Sequence, residues 1–483
     1  MLRSHSGLGI DALVEVINAL ERALKARVPE VPWSFIGPDN TAWDILARWA
    51  YPAWRFHRER RSHLHVRSRA GPPEKEIAMR FGWLTPVGAV AAAAVTLGIM
   101  STSAAQRPAA KPSEQSLRVL GARHGLAIGT CVDMQALADP SDPQYASLVA
   151  SQFSTVTAEN VMKWEGLEPT RGAYDWKAAD ELIDFARKNN QRVRGHVLAW
   201  QNQLPKWLTD GVGNGTINKD ELRGLLQKHV TDVVTHFKGK IWQWDVVNEG
   251  LSDPWDTPNE IHYKGFWNEH LGPTYIADAF RWARAADSAA LLFYNDYNIE
   301  AFGDGGPKDK VQFLFNEVNK LLAAGVPIDG IGSQGHLGTQ YGNYDALQVA
   351  DTIQRFTDLG LAYAFTEVDI RSQMTPKVKS GDSAELNPRL QASAANFSAL
   401  MQACLANRHC LSFTFWGFTD KHSWIPTWDF GSGKGGEGIA TLYDESYHPK
   451  RALNTLKADL LYAGPPSVQP RIAQKPRSGS SAR

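Results

Sequence analysis

Eight short apolar runs alternate with longer stretches of helical periodicity between residues 117 and 463. The runs are rich in β-branched and aromatic residues, as buried strands are, and most intervals between them leave room for a helix. Strands that alternate with helices form parallel β/α units, and eight units close a barrel. We therefore predict a single α/β domain, a (β/α)8 TIM barrel over residues 117–463, with strands at 125–132, 153–158, 192–199, 241–248, 290–297, 328–335, 362–369 and 411–419 and helices at 180–188, 219–237, 275–288, 308–324, 346–359 and 392–406.

Composition excludes several classes of protein. The 51 basic residues balance 51 acidic ones, so we expect no nucleic-acid partner. Three cysteines give no zinc-binding spacing, and we expect neither a metal nor a cofactor. Cys404 and Cys410 are close enough in sequence to bridge a short loop in an oxidising compartment, or they are buried free thiols. Cys131 has no evident mate.

Residues 83–100 form the only long uncharged apolar run. Met79-Arg80 precedes it and small residues follow at 101–105, which is the order of a basic start, an apolar middle and a cleavage site. We expect a signal peptide at 79–105, an upstream extension at 1–78 that is absent from the mature protein, and a secreted product. The alternative is a membrane anchor through residues 83–100. Residues 106–116 and 464–483 are predicted to be a disordered linker and a disordered tail.

Polar residues end most of the predicted strands. One such residue is by default a solvated loop side chain, but a barrel gathers the carboxyl ends of all its strands around one mouth. The convergence of these residues therefore predicts an active site there. In strand order they include Glu159, Asn160 and Lys163; His196, Trp200 and Gln203; Asn248 and Glu249; Asn295, Asp296 and Tyr297; Gln334 and His336; Glu367 and Asp369; and Trp416.

Glu249 and Glu367 lie at the ends of the fourth and seventh runs, on different sides of the barrel. Two carboxylates across a sugar-sized cleft suit cleavage of a glycosidic bond, and a separation of about 5 to 5.5 Å gives a retaining enzyme. Glu367 shares its segment with Asp369 and could accept a hydrogen bond from His336, which would hold it ionised as a nucleophile. Glu249 has aromatic and apolar neighbours, which favour a proton donor. Asn248 is placed to bind a sugar hydroxyl, or it caps a turn.

These motifs resemble those of glycoside hydrolase family 10, the barrel endo-1,4-β-xylanases. The resemblance covers nearly all of residues 117–463 and includes Trp-Asp-Val-Val-Asn-Glu at 244–249, Thr-Glu-Val-Asp-Ile at 366–370 and the block at 157–164. It implies that Glu249 is the acid/base, that Glu367 is the nucleophile, that xylan is cut internally with retention, and that Cys404 and Cys410 form a disulfide. The implied sugar ligands before the cut are Glu159, Asn160, Lys163, His196, Trp200, Gln203 and Asn248; Tyr297 lies beyond the cut, Trp416 and Trp424 form aromatic walls, and Gln334 and His336 support the nucleophile.

One position departs from that family. Gln201 stands where the family often has a histidine after its third strand, which puts the tuning of pH dependence in doubt more than activity. Xylose lacks the hydroxymethyl group of glucose, so bulk near the cleaved sugar, supplied by Gln203 and the tryptophan wall, would favour xylan.

Three rival interpretations remain. A relative of the same fold could cut β-glucan or mannan with both glutamates. A silent polysaccharide-binding barrel would need neither glutamate. A membrane-tethered sensor would keep residues before 105. We expect a monomer that acts on xylan or xylo-oligosaccharides.

Overall fold

The computed structural model describes residues 112–256 and 259–464. The predicted upstream extension, the signal peptide, residues 106–111 of the linker and residues 465–483 of the tail lie outside the described residues. Residues 112–116 form a turn that leads into the first helix, and Ser116 is fully buried. Among the helices of the described ranges, none is both long and apolar enough to cross a membrane.

Eight parallel strands in the described part of the chain close into a barrel, as predicted. Each strand pairs with the next in sequence, and the eighth also pairs with the first, Ala127 to Thr130 lying opposite Ser412 to Phe415. Two short strands, His336–Gly338 and Glu437–Gly438, flank the long seventh strand beyond the barrel wall. The barrel strands are β1 Ala127–Val132, β2 Thr155–Ala158, β3 Arg192–Ala199, β4 Ile241–Asn248, β5 Leu291–Asp296, β6 Gly330–Ser333, β7 Ala362–Gln373 and β8 Cys410–Phe415.

Several helices begin at residues whose side chains cap the first turn. Asn218, Asp309, Asp345 and Asp382 each accept a hydrogen bond from a backbone N–H two or three residues ahead. The helices are α1 Leu117–Ala122, α2 Met134–Ala138, α3 Pro143–Gln152, α4 Trp164–Leu167, α5 Lys177–Lys188, α6 Lys206–Gly213, α7 Lys219–His236, α8 Gly265–Leu271, α9 Thr274–Ala286, α10 Lys310–Ala323, α11 Ala346–Asp358, α12 Pro376–Lys379, α13 Ser383–Leu405 and α14 Arg451–Tyr462, with 3-10 turns at Thr339–Tyr341, Asp420–His422 and Ile425–Thr427.

The six predicted helices are all present, but one begins elsewhere. The helix predicted at 392–406 starts at Ser383, because the Asp382 side chain caps the N–H of Ala384. Pro388 lies in the second turn of α13. A proline this near the start of a helix removes little hydrogen bonding, so the helix continues through it.

The strands divide their side chains between two packed regions. Arg194 and His196 of β3 and Asp245 of β4 are buried inside the barrel, whereas Trp244 packs towards Phe237 at the end of α7. A Cβ atom on Gly195 would come within 2.2 Å of the Trp244 ring. Because glycine has no side chain, β3 leaves room at this position for the Trp244 indole of the neighbouring strand β4.

A disulfide joins Cys404 in the last turn of α13 to Cys410, the first residue of β8. This confirms the pairing that the resemblance implied, and Cys131 is a buried free thiol. The bond fixes the helix-to-strand turn that delivers β8 to β1.

Replacing both Cys404 and Cys410 by serine should lower the free energy of unfolding by about 2 kcal/mol. The disulfide stabilises the fold by restricting the unfolded chain, and the effect is modest because the two cysteines are only six positions apart. Guanidinium unfolding with and without reductant checks this. Reductant should lower the midpoint of the wild type and of the control Cys131→Ser, and leave the double variant unchanged. Equal midpoints for wild type and double variant would contradict the prediction.

Candidate active site

The two predicted catalytic glutamates open onto the same end of the barrel. Glu249 follows β4 with a left-handed backbone (φ 56°), and its N–H donates to the carbonyl of Asn295 at 3.0 Å. Its side chain is half-buried. Glu367 lies in β7, two residues beyond Phe365, the last residue paired with β6, and is only 4% exposed. One carboxylate is thus held within a strand, and the other stands on a turn.

Amide side chains link the two carboxylates. Asn295 Nδ2 donates to Glu367 Oε1 at 2.7 Å and to Asn248 Oδ1 at 2.8 Å. Gln334 Nε2 donates to the same Asn248 oxygen at 3.1 Å and to Glu249 Oε1 at 3.0 Å. A continuous chain of hydrogen bonds therefore runs from one glutamate to the other, and brings together residues from four strand ends.

Glu367 is surrounded by groups that favour its charge. Burial alone would raise its pKa, but the hydrogen bond from His336, the positive charges of His196 and His336, and the bond from Asn295 lower that pKa to about 2. The His336 Nε2 atom lies 3.3 Å from Glu367 Oε2, and its Nδ1 atom lies 3.0 Å from Asp369 Oδ2. Glu367 is therefore ionised at neutral pH.

His336 carries a positive charge that helps to keep Glu367 ionised. Burial disfavours its protonation, but Asp369 and Glu367 outweigh burial and raise the pKa of His336 to about 10. Trp424 Nε1 donates to Asp369 Oδ2 at 2.8 Å. His336 is therefore an imidazolium that donates to a carboxylate from each ring nitrogen.

The position of Gln334 corrects one expectation. The resemblance paired it with His336 as support for the nucleophile, but its side chain contacts Glu249 and Asn248. Its backbone carbonyl is the group that reaches Glu367, accepting from the Glu367 N–H at 2.9 Å. Gly335 (φ 78°) turns the chain between the two residues, so that the side chains of Gln334 and His336 diverge to different glutamates.

Residues after β2 and β3 build a polar and aromatic floor beside Glu249. Lys163 Nζ donates to Asn160 Oδ1 at 2.9 Å and to Gln203 Oε1 at 2.5 Å, and it lies 4.9 Å from the Trp200 ring centroid. Trp200 Nε1 donates to Glu249 Oε2 at 2.8 Å. Burial and the charge of Asp133 raise the pKa of Glu159 to about 7, although Lys163 opposes the shift.

His196 lies deeper than the sequence suggests. It is 1% exposed, and its Nδ1 atom lies 3.0 Å from Asp245 Oδ2, while Arg194 donates to Asp245 Oδ1 at 2.6 Å. In the described ranges, ligand atoms of His196, Asp245 and Glu367 lie within 4.8 Å of one another, a spacing that a metal ion could use. Both oxygens of Asp245 and both of Glu367 already accept hydrogen bonds, which accounts for the cluster without an ion.

Aromatic side chains line the mouth above these groups. Trp416 is 6% exposed and meets His196 edge to face at 5.1 Å between ring centroids. Trp424 meets His336 in the same way, also at 5.1 Å. On the opposite side, the Tyr297 hydroxyl donates to Asp253 Oδ2 at 2.5 Å.

Sequence reasoning missed several groups that hold the site. Asn295 was among the polar strand ends but was given no role, although it donates directly to Glu367. Asp245 was part of a quoted motif but was given no role. Gln201 donates to the backbone carbonyl of Glu249 at 3.1 Å, so its effect falls on the acid/base turn. Lys310 follows β5 by 14 residues, too far along the chain for its sequence position to signal a site, and Asp253 lies in the loop after β4 outside the motifs that were recognised.

Comparisons with known proteins agree with this geometry. The model of the family described as "Glycosyl hydrolase family 10" matches residues 116–459. Endo-1,4-beta-xylanase B of Thermotoga neapolitana is 36% identical over 334 residues, which are 69% of this chain and 88% of that protein. Beta-1,4-xylanase of Dictyoglomus thermophilum is 38% identical over 309 residues, 64% of this chain and 82% of that protein.

A solved structure gives the same result. Xylanase 10B from Thermotoga petrophila RKU-1, crystallised in complex with xylobiose, superposes with a TM-score of 0.64 at 34% identity, covering 72% of this chain and 97% of that one. The matched family region coincides with the barrel and contains both glutamates. The chain therefore belongs to glycosyl hydrolase family 10.

Proposed function

We propose that this chain is a retaining endo-1,4-β-xylanase in which Glu367 is the nucleophile and Glu249 the acid/base. The observation that carries the role assignment is the buried carboxylate of Glu367, whose pKa is lowered to about 2, linked by hydrogen bonds to the half-buried Glu249. The relatives named as xylanases, and the one crystallised with xylobiose, support xylan as the substrate.

Hydrolysis proceeds by two displacements. A Glu367 oxygen attacks the anomeric carbon while Glu249 gives its proton to the departing glycosidic oxygen, leaving a xylosyl ester on Glu367. Glu249, now ionised, then takes a proton from water, whose oxygen attacks the same carbon and releases Glu367. Each step inverts the anomeric centre, so the product keeps the β configuration.

Asn248 is positioned to bind the sugar hydroxyl next to the reacting carbon. Its Oδ1 atom accepts from both Asn295 and Gln334, which fixes the direction of its amide group. The Nδ2 atom makes only a 3.3 Å contact with Glu249 Oε1, so it can donate to a sugar hydroxyl. Hydrogen bonds of this kind strengthen as charge develops in the transition state.

The sugar units before the cut lie over the floor of Glu159, Asn160, Lys163, Trp200 and Gln203. Lys163, a buried cation beside two amide oxygens, can donate to vicinal hydroxyls. Trp416 and Trp424 cover the reacting sugar. His196 lies beneath it and can contact it through the ring nitrogen that does not face Asp245. Bulk from Gln203 and the tryptophan wall disfavours the hydroxymethyl group of glucose.

We also propose that the mature protein is exported as a monomer after removal of residues 1–105. The disulfide between Cys404 and Cys410 supports an oxidising compartment. A site built from a single chain needs no second copy. Amino-terminal sequencing of exported protein, together with its sedimentation coefficient, distinguishes this from retention of residues 83–100 as an anchor.

Release of reducing sugar should be fastest from xylan, and slower from carboxymethyl cellulose and mannan by at least about tenfold, because an added hydroxymethyl group is worth roughly 1 to 3 kcal/mol of discrimination. Proton NMR of the digest should show the β anomer first, followed by mutarotation. Faster cleavage of mannan or glucan would favour the rival substrates, and an initial α anomer would exclude retention.

Replacing each of the two glutamates by alanine should affect hydrolysis differently. Glu367→Ala should abolish hydrolysis even of aryl xylobiosides with good leaving groups. Glu249→Ala should slow xylan hydrolysis by about 10²- to 10⁴-fold, but still form the ester from activated substrates and regain turnover with azide. Reversed phenotypes would exchange the roles, and unchanged xylan turnover in either variant would support a binding protein.

His336→Gln should move the acid limb of kcat/KM to higher pH. The variant loses the positive charge and donor that lower the pKa of Glu367, so the nucleophile becomes protonated at a pH nearer the ordinary glutamate value of about 4.3. The pH profile on an aryl xylobioside checks this, with His236→Gln as the control because His236 pairs with Asp180 at 3.0 Å away from the site. An acid limb identical in both variants would contradict the prediction.

A further inference from the structure

A buried lysine outside the catalytic pair lies between two buried carboxylates. Lys310 is the first residue of α10, and its side chain is 2% exposed. Its Nζ atom lies 2.8 Å from Asp296 Oδ1, at the end of β5, and 3.1 Å from Asp253 Oδ1, in the loop after β4. One cation thus joins three separate segments at the mouth of the barrel.

Such a cluster is poorly explained by stability. Burying a lysine and two carboxylates costs several kcal/mol per ion in lost hydration, and well-packed apolar residues are often as stable. A buried ion pair does, however, define a single geometry, since each charge must meet its partners. The cluster therefore fixes the position of a neighbouring group.

That group is Tyr297. Lys310 Nζ lies 3.9 Å from the centroid of the tyrosine ring, close enough for a cation–π contact. Asp253 accepts the Tyr297 hydroxyl through Oδ2 at 2.5 Å, and Lys264 Nζ donates to the hydroxyl oxygen at 3.1 Å. Lys310 therefore holds the ring directly by its face and indirectly through Asp253, while the side chain remains half-buried.

Tyr297 lies on the side of the site from which the leaving group departs. Tyr297 follows β5 directly, two residues after Asn295, whose carbonyl accepts the Glu249 N–H at 3.0 Å. Its hydroxyl is held by Asp253, four residues after Glu249 in the same loop, so the phenol lies near the proposed acid/base. Glu249 protonates the departing oxygen in the proposed mechanism, so a ring beside it faces the sugar on that oxygen.

We propose that Lys310 is a positioning residue for the sugar unit on the leaving-group side of the cut, acting by locking the Tyr297 ring between its own ammonium group and Asp253. The inference rests on the proposed function. It predicts that loss of the Lys310 charge weakens selection of a sugar at this position more than it weakens formation of the glycosyl ester.

The test uses the partition of the ester between two acceptors. An aryl xylobioside forms the ester, and added xylobiose then competes with water for it. The ratio of transfer product to hydrolysis product depends on binding of the acceptor sugar, and not on the amount of folded enzyme. In Lys310→Met, which removes the charge and keeps the chain length, this ratio should fall roughly tenfold, since small misplacements of binding groups cost up to about a hundredfold.

Lys450→Met is the matched control. Lys450 is also a buried lysine, with Nζ 2.6 Å from Asp420 Oδ2 and a side-chain exposure of 9%, but it pairs within the region after β8. Its loss should lower the melting temperature while the transfer ratio stays within about twofold of the wild type. A second variant, Tyr297→Phe, keeps the ring and removes the hydroxyl that Asp253 holds, and should also lower the ratio.

The inference is overturned if Lys310→Met keeps the wild-type ratio, or if Lys450→Met lowers it equally. If Lys310→Met does not fold, the Tyr297→Phe ratio alone decides. Failure of the wild type to turn over the aryl xylobioside would instead overturn the proposed function, and this inference with it.

Discussion

The site depends on keeping one carboxylate ionised where water hardly reaches it. Glu367 is 4% exposed, and an unpaired carboxylate so buried would take up a proton. The imidazolium of His336 and the amide of Asn295 prevent this, each donating to a different oxygen. These donors come from β5 and from the segment after β6, so Glu367 is held ionised only when the barrel has closed and brought its strand ends together.

Charges of alternating sign continue below the nucleophile into the barrel. Arg194 pairs with Asp245, Asp245 binds the His196 ring, and the charge of His196 helps to lower the pKa of Glu367. Removing Asp245 would leave the buried Arg194 guanidinium without its carboxylate partner, and breaking a buried pair in this way is strongly destabilising. The polar interior therefore ties the chemistry at the mouth to the pairing of β3 with β4.

The sequence was informative wherever a residue's role follows from its place along a strand. The eight runs and the convergence of the two glutamates are of this kind, because strand period and strand ends fix which side chains meet. The disulfide was different, since the residues left its pairing open and only the family resemblance implied it. Side-chain directions at turns could not be predicted: the turn at Gly335 directs the Gln334 side chain to Glu249 instead of Glu367. Long-range contacts could not be predicted either, since nothing in the sequence relates Lys310, at the start of a helix, to Asp253, 57 residues earlier.

The local backbone around each glutamate fits the different roles proposed for two identical side chains. β7 runs for twelve residues, and short strands on both sides brace its outer half, which holds Glu367 in place as the proposed nucleophile requires. Glu249 stands after β4 on a left-handed turn, anchored by its own N–H and by Gln201 at its carbonyl. Its half-buried carboxyl group can meet first a leaving group and then a water molecule, as an acid that becomes a base must.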